Sequence, residues 1–95
     1  MANDVYRICA NYGTFNQKDI PVVRIHNLNS ARASAVRWLR AFGKMGDRVT
    51  VFINDTPVGF AVILNERTKR KGAHSYGWCD STGRQYRISA VGKPL

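Results

Sequence analysis

The sequence predicts an α+β domain: an antiparallel sheet of about six short strands, in the order ββαββββ, with one amphipathic helix packed on one face. Three observations predict it. One segment, residues 29–46, has a helical period. The segments on both sides of it are rich in strand-forming residues. The chain has 95 residues, of which 44% are hydrophobic, which is enough for one core and therefore for one domain spanning 1–95.

Two strands are predicted before the helix. Residues 5–12 and 21–28 are rich in strand formers, and residues 13–19 between them are typical of a turn. Pro21 fits the first position of a strand, where a missing N–H does least harm. A hairpin followed by the helix is the simplest arrangement.

Segment 29–46 separates apolar and cationic side chains onto opposite arcs of a helix. Asn29 is a good N-cap residue, and Gly43 and Gly46 are stop signals. The apolar arc, with Val36 beside it, consists of Ala31, Ala35, Trp38, Leu39, Phe42 and Met45, and the cationic arc of Arg37, Arg40 and Lys44. We therefore expect one side to cover the sheet and the other to present three cations.

Residues 48–64 give the strongest strand signal, interrupted by turn residues at 54–57. A loop with an even number of residues puts two sets of alternate side chains on one face. These are Val49, Val51 and Ile53 from the first strand and Val58, Phe60 and Val62 from the second. We expect that face to lie beneath the helix.

Residues 75–90 predict a last hairpin around 80–84, with Gly83 in the left-handed position that closes the loop. In this register Trp78 faces Tyr86, and Tyr76 faces Ile88, on one side of the hairpin. Residues 91–95 are predicted to be a flexible tail. The outer edge of the hairpin could pair with a second copy, so a homodimer stays open.

The charge balance predicts a polyanionic partner, DNA or RNA contacted through its backbone. Fifteen Lys and Arg stand against six Asp and Glu, a formal charge of +9. Residues 66–72 contain four crowded cations and no apolar residue, and a bound anion would relieve their repulsion. For the helix arc taken alone, an ordinary solvated face is the interpretation we favour. The predicted phosphate-binding residues are Arg37, Arg40, Lys44, Arg67, Lys69, Arg70, Lys71, Arg84 and Arg87.

Three aromatic residues of the last hairpin allow two interpretations. Tyr76, Trp78 and Tyr86 lie close to Arg84 and Arg87 in sequence, and such rings can stack on unpaired bases. The other interpretation, which we favour, is that they form part of the core, since a chain with ten aromatic residues must bury several.

The sequence predicts no catalytic or metal site. The spacing of Cys9, His26, His74 and Cys79 matches no compact zinc pattern, and the acids show no paired arrangement. We therefore expect no enzyme activity, no metal and no cofactor. No apolar run is long enough to span a bilayer and no secretory signal is seen, which predicts a cytoplasmic chain with reduced thiols and no membrane partner.

In its shortness, positive charge and lack of a motif, the chain resembles small phage-encoded accessory proteins. These include inhibitors of host polymerases, nucleases and CRISPR complexes. The resemblance implies an alternative function, docking on a host protein or nucleoprotein complex through the basic face. The sequence does not choose between DNA, RNA and protein as the partner.

Overall fold

A computed structural model describes residues 4–21, 25, 27–65 and 75–95. Within these residues the chain forms six strands and one helix, and the predicted α+β class is confirmed. The elements are β1 (Tyr6–Ala10), β2 (Lys18–Ile20), α1 (Leu28–Phe42), β3 (Arg48–Ile53), β4 (Thr56–Asn65), β5 (Ser75–Asp80) and β6 (Gln85–Ile88).

The described strands form one antiparallel sheet in the order β2-β1-β3-β4-β5-β6. Helix α1 packs on one face and contacts β1, β3 and β4. The core lies between them and includes Ile8, Ala31, Ala35, Val36, Leu39, Val49, Val51, Ala61, Ile63, Tyr76, Trp78 and Ile88. We call the other side of the sheet the open face. The fifteen residues of α1 include three arginines, and no helix in the described part of the chain has the length and apolarity to cross a membrane.

Helix α1 begins earlier and ends earlier than predicted. Its N-cap is Asn27, whose side-chain oxygen accepts a hydrogen bond from the Ser30 nitrogen at 2.8 Å. The Ser30 hydroxyl in turn accepts one from the Asn27 nitrogen at 3.1 Å, which completes a capping box. At the other end Gly43 is the C-cap and has extended backbone angles. Lys44 and Met45, predicted to lie in the helix, therefore follow it.

The buried side of α1 is rotated from the predicted arc. Its buried residues are Ala31, Arg32, Ala35, Val36 and Leu39. Phe42 is 74% exposed and Met45 is 45% exposed, so the prediction that both lie on the buried arc is wrong. Arg32 also lies on the buried side of the helix. Hydrophobic periodicity gives no sign of this, because a charged residue is expected to face solvent.

Arg32 joins the helix to the C-terminal segment and to β6. Its side chain is 5% exposed, and its Nε donates a hydrogen bond to the carbonyl of Gly92 at 2.8 Å. Its two Nη groups donate to the Tyr86 hydroxyl and to the side-chain oxygen of Asn29. The guanidinium carbon also lies 5.4 Å from the centre of the Trp78 ring. One side chain thus connects three parts of the fold.

A β-bulge between β3 and β4 overturns the predicted faces of β4. Two residues, Asn54 and Asp55, form the loop, both with positive φ, as in type I′ hairpins. The pairing then shifts, since Phe52 pairs with Pro57 but Val51 pairs with Gly59. Val58 is left as the extra residue of the bulge.

After the bulge, the side chains of β4 point to the faces opposite those predicted. Val49 pairs with Ala61, so Ala61 and Ile63 lie beneath the helix with Val49 and Val51. The predicted partners Phe60 and Val62 lie instead on the open face. The face assignment is correct for Val49 and Val51 of β3 and for Val58, which packs against the core, and it is wrong for Phe60 and Val62.

The second predicted strand is misplaced. Strand β2 comprises Lys18–Ile20, of which the first two residues lie in the predicted turn, and it pairs with β1 through Ile8↔Ile20 and Ala10↔Lys18. Of the predicted strand 21–28, Pro21 and Ile25 lie outside any strand and Leu28 begins the helix. Residues 22–24 and 26 lie outside the described part.

The last hairpin has the predicted register. Tyr76 pairs with Ile88 and Trp78 pairs with Tyr86, and Gly83 has φ +88°. Beyond β6, the chain returns along the strand: Pro94 bridges to Ile88, and the Leu95 nitrogen donates to the Arg87 carbonyl at 2.9 Å. These contacts place the segment 91–95 beside β6. That this segment is flexible stays a prediction.

Candidate nucleic-acid interface

The three predicted stacking rings lie on the helix-covered side of the sheet. Trp78 is 2% exposed, Tyr76 is 6% exposed, and Tyr86 is half-buried against them. A base cannot stack on a ring that the core already covers. The core interpretation fits the buried rings of Tyr76 and Trp78, and stacking on the half-buried Tyr86 stays a prediction.

The open face carries aromatic rings that the sequence argument did not select. Phe52 and Phe60 lie there, each with a guanidinium above it. The guanidinium carbon of Arg7 is 4.8 Å from the Phe52 ring centre, and that of Arg48 is 4.9 Å from the Phe60 ring centre. These distances are within the range of cation–π contacts. Tyr12 additionally covers the edge of Phe52, with ring centres 4.8 Å apart, so this part of the open face is closed.

A groove remains open across β4, β5 and β6, which we call the sheet groove. It encloses about 350 Å³. Its floor is formed where Leu64 lies across Gly77: a Cβ at position 77 would lie 2.8 Å from a Leu64 methyl carbon. The groove is lined by Arg48, Phe60, Val62, Leu64, Gly77, Trp78, Cys79, Gln85, Tyr86 and Arg87. Sequence reasoning placed Phe60 on the covered face because it did not include the bulge at Val58, and it did not consider Arg48 as a site residue.

A second, smaller cleft lies where α1 approaches β6, and we call it the corner cleft. It encloses about 200 Å³ and is lined by Arg40, Ser75, Tyr76, Arg87, Ile88, Ser89, Ala90 and Leu95. Arg40 comes from the helix and Arg87 from the sheet, where its Nη2 donates a hydrogen bond to the Ser75 hydroxyl at 3.0 Å. Burial raises the pKa of Tyr76, an effect that the positive charge of Arg40 partly offsets.

The corner cleft has the chemistry of an anion site. Two guanidinium groups line it, and none of its described lining residues has an acidic side chain. Arginines in pairs suit phosphate because each offers several donors in a planar arrangement. Arg87 also lines the sheet groove, so the two cavities meet at this side chain.

The other predicted cations are spread more widely. Arg37 is exposed on the outer side of α1, Lys44 follows the helix, and Arg84 is exposed in the last hairpin loop. Arg67, Lys69, Arg70 and Lys71 lie outside the described residues. The structure therefore brings Arg40 and Arg87 together in one cleft, and it does not add Lys44 to a helical row.

Acidic side chains neutralise few of these cations. Among the described residues one ion pair forms, between Arg7 and Asp55, with a nitrogen–oxygen distance of 3.9 Å and both groups exposed. Asp80 is occupied by the hairpin loop, where it accepts hydrogen bonds from the Thr82 hydroxyl and two backbone nitrogens. The bond from Thr82 is the main cause of the lowered pKa of Asp80.

The cysteines are free thiols on different strands. Cys9 on β1 is buried, and burial raises its pKa; the neighbouring Asp19 carboxylate acts in the same direction. Cys79 on β5 is half-buried at the sheet groove. Strands β3 and β4 separate the two. No three His, Cys, Asp or Glu side chains form a metal-binding group within the described ranges, which exclude His26 and His74.

Comparison with known proteins gives no match of any kind: no protein-family model, no curated protein and no solved structure matches this chain.

Proposed function

We propose that the protein is a non-catalytic nucleic-acid-binding protein that holds phosphate groups at the corner cleft. The observation that supports this most directly is the pairing of Arg40 and Arg87 in one cleft whose described lining contains no acidic side chain. In a chain of charge +9, an anion there gains attraction from both guanidinium groups and from the surplus charge around them. Arg37, Lys44 and Arg84 would contribute further backbone contacts.

The crowded cations Arg67, Lys69, Arg70 and Lys71 are part of the same proposal. They lie in sequence between Asn65 and Ser75, and Ser75 itself lines the corner cleft. Their contribution stays a prediction from the sequence, because the structure does not describe them.

The double substitution Arg40→Gln with Arg87→Gln tests the proposal. Each phosphate contact contributes about one unit to the slope of log affinity against log salt, so we expect the slope to fall by about two. Affinity should fall for all sequences alike, because phosphate contacts carry no base information. Fluorescence anisotropy with a labelled oligonucleotide, measured between about 50 and 200 mM salt, gives both quantities.

A matched control removes the same charge elsewhere. Arg7→Gln with Lys18→Gln takes two cations from β1 and β2, at the other end of the sheet. We expect its salt slope to stay close to that of the unsubstituted protein. If both double variants gave the same slope of log affinity against log salt, the assignment of the phosphate site to the corner cleft would be wrong. Absence of binding to every nucleic acid at low salt would contradict the function itself.

A second candidate function is docking on a host protein, and one surface favours it. A cleft between α1 and β2 is lined by Ile20, Pro21, Ser34, Arg37, Trp38, Ala41 and Phe42. Aromatic side chains beside an arginine are typical of protein interfaces. The Trp38 and Phe42 rings lie 6.0 Å apart, and Phe42 is 74% exposed.

A pull-down after nuclease treatment separates the two functions. A host protein retained at stoichiometric level, and released by Phe42→Ser, would favour docking. Loss of all partners once nucleic acid is digested would favour nucleic-acid binding.

A further inference from the structure

We propose that the sheet groove accepts unpaired bases, so that the preferred ligand is a single strand and not a duplex. This inference rests on the proposed function and adds the class of nucleic acid. It also assigns a second site, since the corner cleft holds phosphate and the sheet groove holds bases.

The shape of the groove suits a flat apolar group. Phe60, Val62 and Leu64 supply apolar side chains from alternate positions of β4, and Gly77 on the next strand adds no side chain of its own. The volume of about 350 Å³ lies in the range of roughly 300–1,000 Å³ that small-ligand pockets occupy. Nucleobases are flat, and stacking on apolar and planar side chains binds them without regard to sequence.

The polar groups of the groove suit a base on a phosphate chain. The Arg48 guanidinium, 4.9 Å from the Phe60 ring centre, presents a cationic plane on which a base can stack. Gln85 offers amide donors and an acceptor for a base edge. Among the described residues that line the groove, none has an acidic side chain.

Arg87 makes the groove and the corner cleft parts of one site. It lines both cavities from the outer strand β6, so a single strand whose phosphate is held between Arg40 and Arg87 can pass this strand and bring a neighbouring nucleoside to the groove. A duplex keeps its bases stacked and paired inside, and can offer the corner cleft only its backbone. The geometry therefore gives a single strand two kinds of contact and a duplex one.

Thiol labelling gives a readout located in the groove. Cys79 lines it, whereas Cys9 is 1% exposed and serves as an internal reference. The unsubstituted protein is treated with iodoacetamide alone, with saturating oligouridylate or oligothymidylate, or with a saturating hairpin duplex, and mass spectrometry of peptides follows each cysteine. We expect both single strands to slow labelling of Cys79 and the duplex to leave it unchanged. The two single strands together distinguish RNA from DNA.

The variant Phe60→Leu tests the ring directly. It keeps an apolar side chain and removes the aromatic plane, so affinity for a single strand should fall about five-fold or more, the effect of losing one stacked base. Affinity for the duplex should be unchanged. Phe15→Leu is the matched control, because Phe15 is 98% exposed in the turn between β1 and β2, outside the groove.

The outcomes separate this inference from the proposed function. If single strands bind through Arg40 and Arg87 while Cys79 labels at its free rate, the function stands and the groove assignment is overturned. If labelling of Cys79 slows with protein concentration alone, a second copy occupies the groove, and the assignment is likewise overturned. If no nucleic acid binds at low salt, both proposals fail.

Discussion

Trp78→Ala is expected to lower the free energy of unfolding by about 3–5 kcal/mol, the range for removing a large buried aromatic side chain. Trp78 is 2% exposed and lies against Gly59, where a Cβ would be 2.7 Å from the ring carbon Cε2. It also supports the Arg32 guanidinium. Domains of this size have a total stability of about 5–15 kcal/mol, so the loss is a large fraction. Urea unfolding followed by circular dichroism measures it.

Trp38 provides the comparison. It is half-buried on the helix and its ring contact is with the exposed Phe42, so Trp38→Ala should cost about 1–2 kcal/mol. Equal losses for the two variants would contradict the placement of Trp78 in the core. The milder Trp78→Phe keeps an aromatic side chain in the core, so it should cost less than Trp78→Ala.

Arg32→Ala is expected to lower the free energy of unfolding by about 2–4 kcal/mol, from lost charge-assisted hydrogen bonds and the contact with Trp78. The substitution removes the hydrogen-bond donor of the Gly92 carbonyl. Gly92 lies in a tightly packed part of the fold. A Cβ at Gly92 would lie 2.7 Å from the Ala33 nitrogen. Hydrogen exchange should then show faster exchange in the segment after β6 before the sheet itself opens.

Two further variants separate charge from geometry. Arg32→Lys keeps the positive charge but cannot direct planar donors to three partners, so it should recover only part of the loss. Arg37→Ala removes an exposed arginine from the same helix, and such surface changes usually stay within about 0.5 kcal/mol. A loss for Arg37→Ala as large as for Arg32→Ala would contradict the buried role of Arg32.

The parts of the fold that the sequence predicted correctly have local causes. The last hairpin depends on Gly83 and on alternating side chains on two adjacent strands, and the observed register matches Trp78 with Tyr86. The class of fold follows from one helical period among strand-rich segments. In each case residues close in sequence decide the outcome.

The errors arise where distant packing decides. Position 32 is charged, and its burial depends on distant partners, among them the Gly92 carbonyl, 60 residues away, and the Tyr86 hydroxyl. The bulge at Val58 leaves no clear mark in the sequence, yet it moves Phe60 from the core side to the open face. Arg48, which lies beside Phe60 on that face, was not considered as a site residue.

The sequence predicted which residues supply positive charge to the candidate site. It did not predict how the fold brings them together. Arg40 and Arg87 were both selected as phosphate-binding residues, but nothing in their spacing indicates that a helix and an outer strand place them in one cleft. Their convergence depends on the sheet order, which periodicity does not determine.

The return of the chain along β6 has a consequence for solubility. An outermost strand with free N–H and C=O groups can template further strands from other molecules and so seed aggregates. Backbone hydrogen bonds from Ser89 to Lys93 and from Leu95 to Arg87 occupy part of that strand's outer side. A variant that ends before this return should therefore precipitate at lower concentrations than the full chain, even where its interior packing is intact.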